Sequence, residues 1–368
     1  MKRQDPHMTS AEFARKLERL RRVLAHRNKD AVILDTAKNV VWLTGMRSYV
    51  NIATDAALAR LVVLPDRVVA LTGNNERERL EEEECPGLPI TWQAYPWFED
   101  GSRETITAQV TAGFSIASED ALEADLVQLR TELLEPEMER ARLYGPEIGR
   151  IMYDVALSLE DGMTENDLAG QLSGSLMGAG MQPLVVLVAA DHRCGFRPHP
   201  LPTSLPIHHR ALMAVSVLTP GGLVLSVTRQ AVLQEPTDTE VAQHRALQHI
   251  FTAIASTATA GQTSSELWQA VVEAYSDYGF PGGFNHHHQG GLAGYQSRET
   301  FLRPDSTWVV PETALTAFNP TGGATKAEDT VLVVRNTLTP VTLYEGEPTE
   351  AITAGGVTWQ RPTLIVVG

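Results

Sequence analysis

A chain of 368 residues with 45 Asp and Glu against 30 Lys and Arg carries a formal net charge of −15, which argues against nucleic acid or an anionic membrane surface as its main partner. Its apolar fraction of 43% is that of a globular protein with a sizeable core, and its length suits about two domains. No run approaches the ~18 apolar residues of a membrane span, and the start MKRQDPHMTSAEFARKLERL lacks the apolar segment of a secretory signal. Cys85 and Cys194 stand too far apart to suggest a disulfide framework, so a reducing cytoplasm is the expected compartment.

From Ser10 to Arg27, Phe13, Leu17, Leu20, Val23 and Leu24 recur at three- and four-residue spacing, which predicts an amphipathic helix with Ser10 as its N-cap. A strand follows at Ala31–Asp35, then NVVWLTG at Asn39–Gly45, then two apolar runs, Leu58–Leu64 and Arg67–Gly73, around the turn Pro65-Asp66. The run Glu81–Glu84 reads as one solvated helix face. This mixture predicts a small α/β domain over residues 1–128. A second domain over 129–368 opens with a helical stretch interrupted near Pro136 and Pro146.

Two segments then echo each other. DGMTENDLAGQL (Asp161–Leu172) and AGQTSSELWQAV (Ala260–Val271), 99 residues apart, each carry Gly-x-Thr, an acidic residue three positions on, and a leucine. Thr164 with Asp167, and Thr263 with Glu266, are predicted helix N-caps. The echo predicts a domain of two similar α+β halves. Its strand candidates are Pro183–Ala190, Ala211–Leu218, Gly222–Arg229, Leu315–Asn319 and Thr330–Val334, with Gly221-Gly222 as a hairpin turn. A curved antiparallel sheet backed by helices fits them.

The stretch FNHHHQGG (Phe284–Gly291) sets three histidines before a glycine pair. On an extended segment His286 and His288 would share a face that His287 does not, with His286 exposed. DHRCG (Asp191–Gly195) lacks zinc-finger spacing.

The order of WLTG (Trp42–Gly45), a two-fold-repeated domain and EDTVLVV (Glu328–Val334) resembles the pita-bread family of proline dipeptidase, aminopeptidase P, methionine aminopeptidase and creatinase, over nearly the whole chain. The resemblance implies a creatinase-like α/β N-terminal domain and an α+β pita-bread domain with an internal pseudo-two-fold repeat. Peptidases of that family hold two divalent metals on two hairpin Asp, one His and two Glu; paired ions activating a shared water need bridging carboxylates. Anchored on Thr228-Arg229, the hairpin positions here are Val215 and Ser226. The histidine followed by x-x-Gly is His288, the glutamate before proline is replaced by Asn319, and Glu328 is kept. Between Ala211 and Gln234 there is no Asp or Glu at all. The expectation is therefore no dinuclear centre and no other cofactor, with a single weakly held metal on His288, Glu328 and another histidine left open.

His199, in RPHPLPT, lies 16 residues before Val215 and matches the histidine that is the general base in metal-free creatinase. An imidazole titrating near pH ~6.5 can shuttle a proton there. The candidate catalytic residues are His199, His288, Glu299 and Glu328, and the candidate substrate-binding residues are Arg197, Arg229, Tyr295, Arg298, Asn319 and Lys326. The cations among them suggest a small anionic or zwitterionic ligand. Arg229 is read equally as an ion-pair partner of Glu328, and Arg298 as one of Glu299. The expected function is a metal-independent hydrolase acting on a C–N bond of a small polar or dipeptide-like substrate, and the resemblance implies a homodimer. Two alternatives stay open: a catalytically silent relative that binds a small ligand or a protein, and a proline dipeptidase or aminopeptidase with an atypical metal site.

Overall fold

The computed structural model describes residues 8–195 and 197–367; residues 1–7, part of the segment read above as lacking a secretory signal, lie outside them. The chain divides into two compact units, Met1–Arg130 with Pro220–Gly222, and Thr131–Thr219 with Leu223–Gly368.

In the first unit α1 (Ser10–His26) buries Phe13, Leu20 and Leu24. Its N-cap is Thr9 and not the expected Ser10, because the Thr9 hydroxyl accepts the Glu12 N–H at 3.1 Å. After β1 (Ala31–Thr36), NVVWLTG folds as α2 (Ala37–Thr44), stopped by Gly45 at φ 74, where a side chain would be strained. Next, β2 (Ala56–Val63) and β3 (Val68–Gly73) pair antiparallel around Pro65-Asp66. With β4 (Ile90–Tyr95) and β5 (Ile116–Ala117) they form one sheet of order β4-β3-β2-β1-β5. The helices α3 (Ser102–Val110) and α4 (Glu123–Thr131) complete this part of the chain. The acidic run is not wholly solvated: it forms a π-helical turn, Arg79–Glu84, whose last residue is buried and binds Arg47 at 3.0 Å.

In the second unit α5 (Glu135–Leu157) runs unbroken past both prolines. Pro136 sits in the first turn, where its missing N–H is no loss, and the helix continues through Pro146. Gly145 and Gly149 keep this helix close to the chain beyond: a Cβ would lie 2.2 Å from Val341 O and 2.4 Å from Thr342 O.

The elements that follow are α6 (Glu165–Gly178), β6 (Gln182–Ala190), β7 (Arg210–Leu218), β8 (Val224–Val232), α7 (Asp238–Ser256) and α8 (Ser264–Asp277). Then come β9 (Gly290–Ala293), β10 (Thr313–Phe318), β11 (Thr321–Gly322), β12 (Thr325–Lys326), β13 (Asp329–Val334) and β14 (Thr337–Pro340). The chain closes with β15 (Thr349–Ala354), β16 (Val357–Pro362) and β17 (Ile365–Val366). The helices α6 and α8 both start on the expected capping boxes, but so does α7 at Thr237, so the cap alone does not mark a repeat. The loop hydrogen bonds do. Gly162 donates to Ile207, Ile207 to Met163 and Glu165 to Leu205; in the second half Gly261 donates to Val310, Val310 to Gln262 and Ser264 to Trp308.

Each half supplies a four-stranded sheet, β17-β8-β7-β6 and β14-β13-β10-β9. They meet along a seam where the Thr228 N–H donates to Glu328 O at 3.0 Å and Thr330 Oγ1 bridges the Ser226 N–H (2.8 Å) and carbonyl (3.0 Å). Helices α7 and α8 cover the second sheet, burying Phe251, Leu267, Tyr275, Leu292, Phe318 and Val331. Among the described residues no helix is long and apolar enough to cross a membrane, and both cysteines are free and buried.

Candidate functional site

Side-chain alternation along the seam sorts its charges. Thr228 and Glu328 share one face; Arg229 and Asp329 take the other. On that other face the Arg229 guanidinium binds Glu347 at 2.9 Å and Asp329 at 3.1 Å, while Arg361 donates to Asp329 at 2.6 Å, all of them buried. Burial opposes the charge on Arg229, yet Asp329 and Glu347 raise its pKa above the ordinary arginine value. Arg229 is therefore neither a cleft residue nor the partner of Glu328, as the sequence suggested; the two-residue period of the strand turns it away.

The near face holds a cleft of about 140 Å³. Glu328 lies at its base, with Oε1 accepting Arg298 Nη2 at 2.9 Å and Oε2 accepting Thr228 Oγ1 at 2.8 Å and Lys326 Nζ at 3.0 Å. Burial alone would raise this carboxyl, but Lys326 and Arg298 outweigh it and hold the pKa at about 2. Burial lowers the Arg298 guanidinium, opposed by Glu328; Arg298 also donates to Ser226 Oγ at 3.1 Å. Arg298 thus serves Glu328 and not Glu299. Asn319 is buried on the cleft wall, and its Oδ1 has no hydrogen-bond partner. Val215 and Ser216 both line the cleft, and Ser216 stands across from Ser226, their hydroxyls 2.9 Å apart. Val215 pairs with Val227. Neither residue brings an acid.

The histidines do not follow extended alternation. A 3-10 turn, Gly283–His286, leaves His286 exposed and delivers His287 into extended backbone at φ −156. The His287 and His288 rings then stack with centroids 4.3 Å apart, and both meet His199, at 4.7 and 5.5 Å. His199 Nε2 and His287 Nε2 are 3.1 Å apart. Burial, then Lys326 and the neighbouring rings, push His287 down to about 2. Burial, then Arg298, push His288 to about 4. Burial, then Lys326, lower His199 below the ordinary histidine value.

The loop carrying His199 is anchored by a carboxylate the sequence did not single out. Glu165, fully buried, accepts the Ala190 N–H at 2.7 Å, the Thr203 N–H at 2.8 Å and the Thr203 hydroxyl at 2.7 Å, and it pairs with Arg193. Glu165→Gln keeps the shape but removes the charge, so urea unfolding is expected to show a loss of roughly 1–3 kcal/mol. Amide exchange across residues 191–203 should quicken while β7 and β8 stay protected; unchanged exchange in that loop would contradict the anchor.

Three expected residues lie elsewhere. Tyr295 is buried with its hydroxyl donating to Glu137 at 2.6 Å, and Glu299 accepts the Tyr295 N–H at 2.9 Å. Of the described residues that line the cleft, neither is one. Arg197 borders a separate hollow with Phe280, His286 and Gly322. The sequence reading passed over Val185, Leu187, Ser216, Ser297 and Phe301, which line the cleft, and gave no role to His287 or Thr228, which contact its polar groups.

A repeated α+β domain with a cleft on the seam of its halves, following a smaller α/β unit, defines a protein of the pita-bread fold. Residues 147–335 match the model of metallopeptidase family M24, and residues 16–142 match that of the creatinase/prolidase N-terminal domain; the chain belongs to metallopeptidase family M24. Among solved structures it is similar to the dipeptidase PepE from Mycobacterium ulcerans, at 18% identity and TM-score 0.76, covering 98% of this chain and 100% of that one. It is also similar to an Xaa-Pro dipeptidase from Bacillus anthracis (17%, TM-score 0.73, 96% and 99%). A third likeness is to the N-terminal domain of the FACT complex subunit SPT16 from Cicer arietinum (12%, TM-score 0.67, 91% and 96%). Comparison with curated proteins gave no match.

The family's description implies metal, but the donors here do not fit a dinuclear centre. Val215, Ser216, Ser226 and Asn319 carry no charge, and the one remaining acid, Glu328, is already satisfied by a guanidinium and an ammonium. Two dications beside Lys326 and Arg298 would face a single carboxylate.

Proposed function

We propose that this protein is a metal-independent hydrolase of the pita-bread fold, cleaving a C–N bond in a small polar or dipeptide-like substrate. One observation carries the reading: where bridging acids are missing, three imidazoles converge beside a cleft whose carboxylate is neutralised by Lys326 and Arg298. His199 is the general base. With its Nε2–H donated to His287 Nε2, its Nδ1 lone pair is open to take a proton from water as the oxygen attacks the carbonyl or amidine carbon. Collapse breaks the C–N bond, and the same proton passes to the leaving nitrogen. His287 stays neutral and steadies the imidazolium through the 3.1 Å contact. Asn319 Oδ1, buried without a partner, receives a substrate N–H. His288 and the Lys326–Glu328–Arg298 cluster hold the polar end of the substrate.

The test is hydrolysis of proline dipeptides and creatine-like amidines by full-length protein before and after exhaustive chelation. Turnover that survives exhaustive chelation is expected. Activity that requires two equivalents of manganese or cobalt would overturn the reading. A ligand-binding role without turnover is favoured by the saturation of Glu328 by its own neighbours; a ligand that raises the melting temperature without being consumed would select it.

A further inference from the structure

We propose that His199, His287 and His288 form a mononuclear site for a borderline divalent cation, Zn²⁺ foremost, distinct from the dinuclear carboxylate centre that the family description implies. One ligand atom from each ring lies within 4.8 Å of the others, and the Nε2 atoms of His199 and His287 stand 3.1 Å apart. Nitrogens bound tetrahedrally to zinc at about 2.0–2.1 Å lie roughly 3.3–3.4 Å from one another, so this pair needs little movement.

Two ring nitrogens this close share one hydrogen. A cation replaces that sharing: each Nε2 gives its lone pair to the ion, the hydrogen of one ring stays on Nδ1, and that of the ring that donated moves by tautomerisation from Nε2 to Nδ1, so no net proton is released. The third nitrogen comes from His288, whose ring is stacked on His287. Imidazoles without a carboxylate favour zinc, copper or nickel over magnesium or calcium. The remaining coordination position opens toward the cleft that His199 and His288 border, the arrangement of a three-histidine site with an open place.

The surrounding charge sets the strength. Lys326 acts on both His199 and His287, and its 3.0 Å pairing with Glu328 offsets that charge only in part. Removing the ammonium therefore tightens binding. An ion here also occupies the nitrogen that joins His199 to His287, so zinc inhibits the hydrolysis proposed above. That consequence rests on the functional reading; the binding itself does not.

The experiment is titration of tag-free, chelator-stripped full chain with Zn²⁺ by calorimetry, and with Co²⁺ by visible absorption. One saturable equivalent is expected, with an intense low-coordinate cobalt band. His199→Ala, at an exposed position that folding tolerates, and His287→Ala should each weaken binding by roughly 100-fold or more, beyond the ~10–100-fold typical of a lost outer-shell partner. His286→Ala should leave binding unchanged, and Lys326→Met should tighten it. Absence of saturable binding would overturn the proposal, as would wild-type affinity in His199→Ala or two equivalents that disappear in Glu328→Gln.

Discussion

Glu328→Gln is expected to lower the stability of the protein by roughly 3–5 kcal/mol, the range for breaking a buried ion pair by removing one partner. The amide keeps the volume of the side chain, so packing is not the cause. Lys326 and Arg298, both buried, are left with no anion in reach of the bonds they make at 3.0 and 2.9 Å. A triple variant, Glu328→Gln with Lys326→Met and Arg298→Met, should recover much of the loss, because an apolar replacement of a whole buried cluster is close to neutral. The measurement is the guanidinium unfolding midpoint. A loss within about 1 kcal/mol would place the cluster with solvent-exposed pairs instead.

The pH dependence follows with its sign. Glu328 titrates at about 2 in the folded protein, below the ordinary glutamate value near ~4.3. Its contribution is fully present above that ordinary value and is lost as pH falls toward the folded one. His288 at about 4 and His287 at about 2 act in the same sense from a higher start. An unfolded histidine takes up a proton near ~6.5, which the folded rings resist, so stability declines as pH drops below that point. Wild type should therefore lose stability in two overlapping stages on acidification, and Glu328→Gln should lack the lower one.

His199→Ala should reduce hydrolysis by roughly 10²–10⁴, the usual contribution of a general base, with KM nearly unchanged. A base must be unprotonated to act. The pKa of His199 is depressed by burial and then by Lys326, so activity should persist to a pH below the ordinary histidine range and fall as pH drops through the depressed value. In Lys326→Met the acid limb should move upward, since the ammonium no longer disfavours the imidazolium. A loss of less than about threefold in His199→Ala would remove His199 from the mechanism.

The first of these predictions turns on which face of a strand a side chain occupies, and this is where sequence and structure part. Thr228-Arg229 and Glu328-Asp329 were visible as adjacent polar pairs; only the bridge between Thr228 and Glu328 shows that Glu328 lines the cleft with Thr228 bonded to it, while Arg229 and Asp329 build the buried cluster on the other face. A shift of one residue in a strand reverses its faces, as Thr228 beside Glu328 and Arg229 beside Asp329 illustrate. The histidine run failed for a related reason. Its expected alternation assumes extended backbone, and the turn ending at His286 rotates His287 onto the same neighbour as His288.

By itself the sequence determined the two-part organisation, the helical caps at Thr164 and Thr263 and most strands, because these depend on local periodicity and on short-range hydrogen bonds. It also determined the lack of acidic residues on the β7–β8 hairpin, which no folding can alter. Tertiary structure decided the rest: that Arg298 and Lys326 converge on Glu328, that Glu165 ties down the His199 loop, and that His199 and His287 meet across 88 residues of chain. Contacts at such separations depend on sheet register and loop closure, which no local pattern encodes.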